Sequence, residues 1–203
     1  PEEQAAIQEY LAELMVGDGF AWSAPTPQAA ESINGASMSI LEDGSVLAGG
    51  ENPASDEIVI TYRIEKGLHD ALLIEALPHE SLPGTKTGRA PNGNAILSGI
   101  TAEAVSAADP SQRVTVPLEW AWADYEQPNG DFKITNALRP DDGRVWAAQS
   151  HDIPGARTFV FLAAEPFGFE GGTDLVVRYG FESPYAQHAI GRTRLHLGRS
   201  TPA

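Results

Sequence analysis

Short apolar runs alternate with tight turns along most of this sequence. Within Glu57–Ile64 every second residue is large and apolar, which is typical of a strand with one buried face. The Asp43-Gly44 pair supplies the positive φ that a tight hairpin needs, between apolar runs at 37–41 and 46–48. About ten such strands, with turns at regular spacing, predict an all-β fold. We expect an antiparallel β-sandwich or jelly roll.

The first residues depart from this pattern. Between Glu2 and Val16 the apolar residues recur with helical spacing and form one stripe, and Gly17 then ends the pattern. The stripe consists of Ile7, Tyr10, Leu11, Leu14 and Met15. We therefore predict a linker helix in residues 1–17 and a β-sandwich domain in residues 18–203. The chain begins at Pro1 without an initiator Met, and we expect it to be part of a longer protein.

Two stretches of the sandwich are less regular. Arg113–Asp124 is predicted to be one strand, with Pro117 marking a sheet edge or a bulge. The apolar side chains on its common face are Val114, Val116, Leu118, Trp120 and Trp122. The second stretch, residues 78–93, is a Pro- and Gly-rich loop between two apolar runs, and it is long enough to suggest a function. It could form a pocket or simply pack against a sheet.

Composition excludes several classes of function. The absence of cysteine excludes disulfides, thiolate catalysis, Cys-based metal sites and c-type haem attachment in this domain. The formal net charge is −15, from 28 acidic and 13 basic side chains. Such a surface repels nucleic acid and anionic membranes, and the sequence has no apolar run long enough to cross a bilayer. We expect neither nucleic-acid binding nor membrane insertion.

Aromatic residues and amides suggest carbohydrate binding. A flat aromatic ring matches the C–H face of a sugar, and polar side chains match its hydroxyl rim. The candidate binding residues are Trp146, Tyr125, Trp120, Trp122, Arg89 and Asn92. Each has a structural alternative: the tryptophans could be core residues, Asn92-Gly93 could build a turn, and Arg89 could fix the loop.

Acidic turns suggest a second kind of site. Calcium binds several hard oxygen ligands, and Asp43, Asp141 and Asp142 lie in turns that could provide them. No EF-hand spacing is present, and a solvated acidic turn is the alternative. A structural calcium is therefore an expectation about these three aspartates.

Four stretches resemble one family. They are ILEDGSVLAGGENPASDEIVI (40–60), LLIEALPHESLPGTKTGRAPNGNAILSGI (72–100), the run from WADYEQ to ALRPDDGRVWAAQ (122–149) and AIGRTRLHL (189–197). They resemble the β-sandwich region of large planctomycete proteins that also contain c-type cytochrome and DUF1549/DUF1553 domains. The resemblance covers roughly residues 20–198, and its most specific part is the LPG…GRAPNGN…L pattern. It implies an exported protein, periplasmic or extracellular, in which this domain has other domains of the same chain as neighbours.

A second resemblance lies within the first. Ala137, the Asp142-Gly143 pair and Trp146 are similar to the A-x-DG…W motif of discoidin-like, galactose-binding-like sandwiches. This chain departs from that motif in residues 138–141 and has no Thr before the Trp. The resemblance implies a structural calcium in this loop and sugar binding by neighbouring loops.

The sequence therefore predicts a non-catalytic module that binds a polysaccharide. It has no HExxH zinc motif and no G-x-S-x-G nucleophile motif, and no pair of carboxylates stands out among its many acids. We expect no catalytic residues and no enzyme activity. A structural or protein-docking sandwich without a ligand is the alternative, and a hydrolase is a third.

Overall fold

The computed structural model describes residues 19–65 and 67–201, together with Glu9 and Glu13. The predicted helix Glu2–Val16 otherwise lies outside these residues. The described chain forms an antiparallel β-sandwich, which confirms the predicted fold class. Its strands are β1 (Phe20–Ser23), β2 (Thr26–Ser32), β3 (Ala36–Ile40), β4 (Val46–Gly50), β5 (Glu57–Ile64), β6 (His69–Ala76), β7 (Ile96–Leu97), β8 (Gly99–Ser106), β9 (Arg113–Val116), β10 (Leu118–Ala123), β11 (Trp146–Ala147), β12 (Arg157–Phe167), β13 (Thr173–Gly180) and β14 (Arg192–Ser200).

Two main sheets form the layers of the sandwich. The larger sheet has the order β10-β12-β6-β14-β4-β3, and β1 also pairs with β14. The smaller sheet has the order β2-β5-β13-β8-β9, and β7 pairs with β11 in a separate two-stranded ribbon. Three short 3-10 turns lie in the connections, at Pro83–Thr85, Ile134–Leu138 and Pro140–Asp142. The β3–β4 hairpin turns at Gly44 (φ 76°), as predicted from the Asp-Gly pair.

One continuous apolar core lies between the sheets. The inner faces of β5 and β13 meet those of β6 and β12, since strand side chains alternate between the two faces of a sheet. The largest fully buried side chains at the centre are Trp146, Tyr62, Tyr179, Phe159 and Phe161. Burial of each such side chain contributes roughly 1.5–3 kcal/mol to folding, which makes this core the main source of stability.

The prediction of a single strand over Arg113–Asp124 is wrong, because the structure divides these residues between two strands in different sheets. The chain leaves the smaller sheet after β9 and enters the larger sheet as β10, with Pro117 at the crossing. Proline has no N–H to donate to a ladder, so the pairing ends there. The prediction of an edge or a bulge at Pro117 is confirmed, because β10 is an edge strand and its register shifts between Leu118 and Trp120. Val114 consequently lies on β9, where it is 55% exposed.

The outer face of the larger sheet carries a charged cluster. The guanidinium of Arg194 pairs with Glu75 at 2.7 Å and with Asp43 at 3.3 Å. Arg192 also pairs with Asp43, at 2.6 Å, and Nε2 of His196 lies 2.9 Å from the Glu75 carboxylate. The hydrogen bond with His196, together with that from Arg194, lowers the pKa of Glu75 to about 2. The carboxylate of Glu75 is therefore better stabilised in the folded chain than in the unfolded chain.

This difference predicts a pH dependence of stability. The pKa of Glu75 falls from an ordinary value of 4.5 to about 2 on folding, so between these pH values the unfolded chain binds more protons. The stabilisation is complete above pH 4.5 and is lost as the pH falls towards 2, by at most about 3 kcal/mol. Urea denaturation of Glu75→Gln should show a weaker loss of stability over this range than the wild-type chain. Glu170→Gln, at an exposed position, is the control; equal acid dependence in all three proteins would contradict the assignment.

Candidate functional site

A surface cleft lies beside the edge strand β10. Its volume is 610 Å³, and its walls come from β10 and from the segment that follows it, residues 124–134. Three of the six predicted carbohydrate-binding residues, Trp120, Trp122 and Tyr125, line this one cleft. The structure therefore brings together half of the predicted set, because the three residues lie on one strand end and its continuing loop.

The two tryptophans of the cleft differ in exposure. Both side chains lie on the outer face of the larger sheet, opposite the side that packs in the sandwich core. Trp122 is only 5% exposed and packs with Leu73 and Val160, whereas Trp120 is 37% exposed. Trp120 is thus the ring that a ligand in the cleft could stack against.

Tyr125 forms a fixed wall of the cleft. Its hydroxyl donates a hydrogen bond to Oε1 of Gln149 at 2.7 Å. The guanidinium of Arg157 lies over its ring, 5.0 Å from the ring centre, in a cation–π contact. One face of the Tyr125 ring is therefore already occupied by the protein.

Charged side chains form the rim of the cleft. Lys133 pairs with Glu126 at 2.7 Å, and the same carboxylate accepts a hydrogen bond from the backbone N–H of Ile134 at 2.8 Å. Desolvation by the surrounding protein raises the pKa of Asp124 from its ordinary value. The sequence analysis did not select these three charged residues. Their signal is their position next to Tyr125, at the point where an edge strand becomes a turn.

Trp146 was wrongly predicted to contact a sugar. It is fully buried, its ring centre lies 5.0 Å from that of Phe159, and its Nε1 donates to the carbonyl of Tyr125 at 2.9 Å. The prediction relied on the preceding turn, but residues 145–148 form an unbroken apolar run, which is typical of a strand buried on both faces. Trp146 therefore has no ring face available to a ligand.

Arg89 and Asn92 also lie outside the cleft lining. Nη2 of Arg89 donates to the carbonyls of Gly49, Gly50 and Glu51, and the residue is 7% exposed. Oδ1 of Asn92 accepts the backbone N–H of Asn94 at 2.9 Å and so builds a turn. Arg89 and Asn92 are therefore not brought together with the tryptophans of the cleft, and their contact with a sugar stays a prediction.

Two of the three candidate calcium ligands, Asp43 and Asp142, contact arginines. Asp43 pairs with Arg192 and Arg194, and Asp142 pairs with Arg144 at 2.6 Å. Among the side chains that the structure describes, which do not include that of Asp141, no group of three or more acidic or histidine residues is arranged to hold a metal ion. Calcium binding at Asp43, Asp141 and Asp142 stays a prediction.

Comparison with known proteins identifies no relative. No protein-family description, no curated protein and no solved structure matches this chain. Among the described residues, no helix is long and apolar enough to cross a membrane.

The different positions of Trp146 and Trp120 predict different effects on stability. Trp146→Ala removes a fully buried ring and leaves a cavity, and it should cost roughly 3–5 kcal/mol of unfolding free energy. Trp120→Ala removes a partly exposed ring and should cost less than about 2 kcal/mol. Urea unfolding followed by circular dichroism measures both values. Equal losses would show that Trp120 is also a core residue.

Proposed function

We propose that this protein is a non-catalytic carbohydrate-binding domain that holds a neutral polysaccharide in the cleft beside β10. The observation that carries this proposal is the exposed indole of Trp120 in a cleft with a polar rim. The cleft volume of 610 Å³ falls within the range of roughly 300–1,000 Å³ that is common for small-molecule sites.

The binding chemistry follows from the lining. The apolar face of a sugar ring packs on Trp120, while Asp124, Glu126 and Lys133 offer acceptors and donors to its hydroxyls. The ion pair between Lys133 and Glu126 fixes two of these rim groups before a ligand arrives, which reduces the entropy lost on binding. The proposed mechanism is a binding equilibrium without a chemical step.

The negative net charge of the chain favours a neutral glycan over an acidic one. A protein with a formal charge of −15 repels a polyanion at long range, and the cleft rim itself contains two carboxylates beside one lysine. A neutral hexose or pentose polymer is therefore the expected partner of this cleft.

The wider context of the proposal rests on the family resemblance of the sequence. We propose that the domain belongs to an exported, periplasmic or extracellular, multidomain protein and holds the neighbouring domains against a polysaccharide. A structural calcium at the acidic turns belongs to the same proposal.

A docking domain is the second candidate, and one observation favours it. The outer face of the larger sheet carries a separate apolar cluster formed by Leu73, Trp122 and Val160, with Phe20 and Trp22 packed against it. Leu73, Trp122 and Val160 are themselves buried, so the half-buried rings of Phe20 and Trp22 at the edge of this cluster are the part open to a contact with another domain.

A glycan panel with matched variants tests the proposal. We expect the wild-type domain to bind at least one neutral polysaccharide, with a change in Trp fluorescence, and Trp120→Ala to weaken that binding at least tenfold, about 1.4 kcal/mol. Tyr185→Ala removes another exposed aromatic ring, 46% exposed and outside the cleft lining, and should bind like wild type.

The other outcomes have clear meanings. Absence of binding across neutral and acidic glycans would reject the carbohydrate proposal and favour a docking domain. Equal loss in Trp120→Ala and Tyr185→Ala would remove the cleft as the binding site. Release of reducing ends from any glycan would indicate a hydrolase.

A further inference from the structure

A second cavity lies between the end of β4 and the loop 78–93. Its volume is 290 Å³, and its lining includes Gly49, Gly50, Asn52, Ser81 and Arg89. The glycines contribute no side chains, so the polar side chains among these five residues are those of Asn52, Ser81 and Arg89. These elements differ from those that form the cleft beside β10.

Arg89 is a buried cation in the lining of this cavity. It is 7% exposed, and its Nη2 donates to the carbonyls of Gly49 at 2.9 Å, Gly50 at 3.1 Å and Glu51 at 2.7 Å. Nη1 is shielded from water and has no hydrogen-bond partner, and none of the ion pairs among the described residues includes Arg89. Burial lowers the pKa of this guanidinium, and the charge of Asp56 offsets only part of that effect.

A second buried arginine in the same fold has a hydrogen-bond partner for every guanidinium nitrogen. Arg157 is 4% exposed, and each of its three guanidinium nitrogens donates to at least one backbone carbonyl. A buried polar group without a partner costs about 1–3 kcal/mol, and more when it is charged. The unpartnered nitrogen therefore distinguishes Arg89 from an arginine that only fixes a loop.

Asn52 leaves an acceptor unpaired in the same lining. Its Nδ2 donates to the carbonyl of Arg89 at 2.8 Å and to that of Gln187 at 3.3 Å. Only the NH₂ group can donate to carbonyls, so these two bonds fix the orientation of the amide. Oδ1 of Asn52 is buried and has no partner.

We propose that this cavity binds a small hydroxycarboxylate, such as a sugar acid, whose carboxylate accepts from Arg89 and whose hydroxyl donates to Asn52. A guanidinium nitrogen and an amide oxygen, each without a partner, call for one acceptor and one donor on the same ligand. Ser81 is an exposed residue of the cavity wall, and its hydroxyl, which lies 2.8 Å from Nδ1 of His79, adds a third polar contact. Both residues line the cavity, but the two unpaired atoms are shielded from water, so binding requires the lining to move and expose them.

The negative net charge of the chain does not prevent this binding. Exposed charges more than about 8–10 Å away are largely screened at physiological ionic strength, whereas a contact with a buried guanidinium is screened much less. The expected affinity therefore falls only moderately with salt. The proposal is independent of glycan binding in the cleft.

Isothermal titration calorimetry with sodium glucuronate, sodium acetate and glucose tests this proposal on the wild-type chain. We expect glucuronate to bind, acetate to bind at least about tenfold more weakly, and glucose to bind more weakly still. Sodium chloride at matched ionic strength should give no specific heat. Thermal unfolding provides a second readout, because a ligand that binds only the folded state raises Tm.

Two variants locate the site. Ser81→Asp retains Arg89 and places a carboxylate at the cavity wall, where it repels or competes with the carboxylate of the ligand, and it should weaken glucuronate binding at least about tenfold. Ser23→Asp adds the same charge at an exposed position on β1 and should bind like wild type. Arg89→Lys retains the charge without the planar fork and should also lose binding, with circular dichroism confirming that it folds.

Three results would overturn the proposal. Absence of glucuronate binding to the wild-type chain would leave Arg89 as a purely structural residue. Equal affinity for glucuronate and acetate would remove the hydroxyl contact with Asn52. Unchanged binding in Ser81→Asp would show that glucuronate binds elsewhere.

Discussion

The hydrogen bond from Trp146 to the Tyr125 carbonyl joins the sandwich core to the candidate binding site. Trp146 is fully buried against Phe159, and its indole N–H needs an acceptor because water cannot reach it. The acceptor comes from the segment that forms the cleft wall. The position of Tyr125, and with it the shape of the cleft, therefore depends on how the central aromatic residues pack.

Buried arginines donate hydrogen bonds to backbone carbonyls at the ends of strands and in the adjoining loops. Arg157 donates to carbonyls of residues 148–156 and stacks on Tyr125, while Arg89 donates to carbonyls at the end of β4. Long loops carry polar backbone groups that strand ladders do not pair, and a guanidinium can pair several of them at once. The two arginines thus hold in place the loops that shape the cleft and the second cavity.

The features that the sequence predicts correctly are those that depend on residues close together in the chain. Alternation of side chains located β5, and the Asp-Gly pair located the β3–β4 turn, because both depend on neighbouring residues alone. The burial of Trp146 and the contacts of Arg89 depend on residues distant in sequence. The turn before Trp146 suggested exposure, whereas the pairing of β11 with β7 buries the ring. The clustering of Trp120, Trp122 and Tyr125 was foreseeable from their closeness in sequence, but the difference in exposure between the two tryptophans was not.

The most direct test of the central claim is a two-dimensional NMR titration of the indole N–H groups. The chain has four tryptophans, and the polysaccharide fragment that binds most tightly serves as the ligand. The account predicts that the indole signal of Trp120 shifts most and that the signal of Trp146, deep in the core, stays in place. A titration in which no indole signal moves, or in which Trp146 moves as much as Trp120, would contradict the assignment of the cleft as the carbohydrate site.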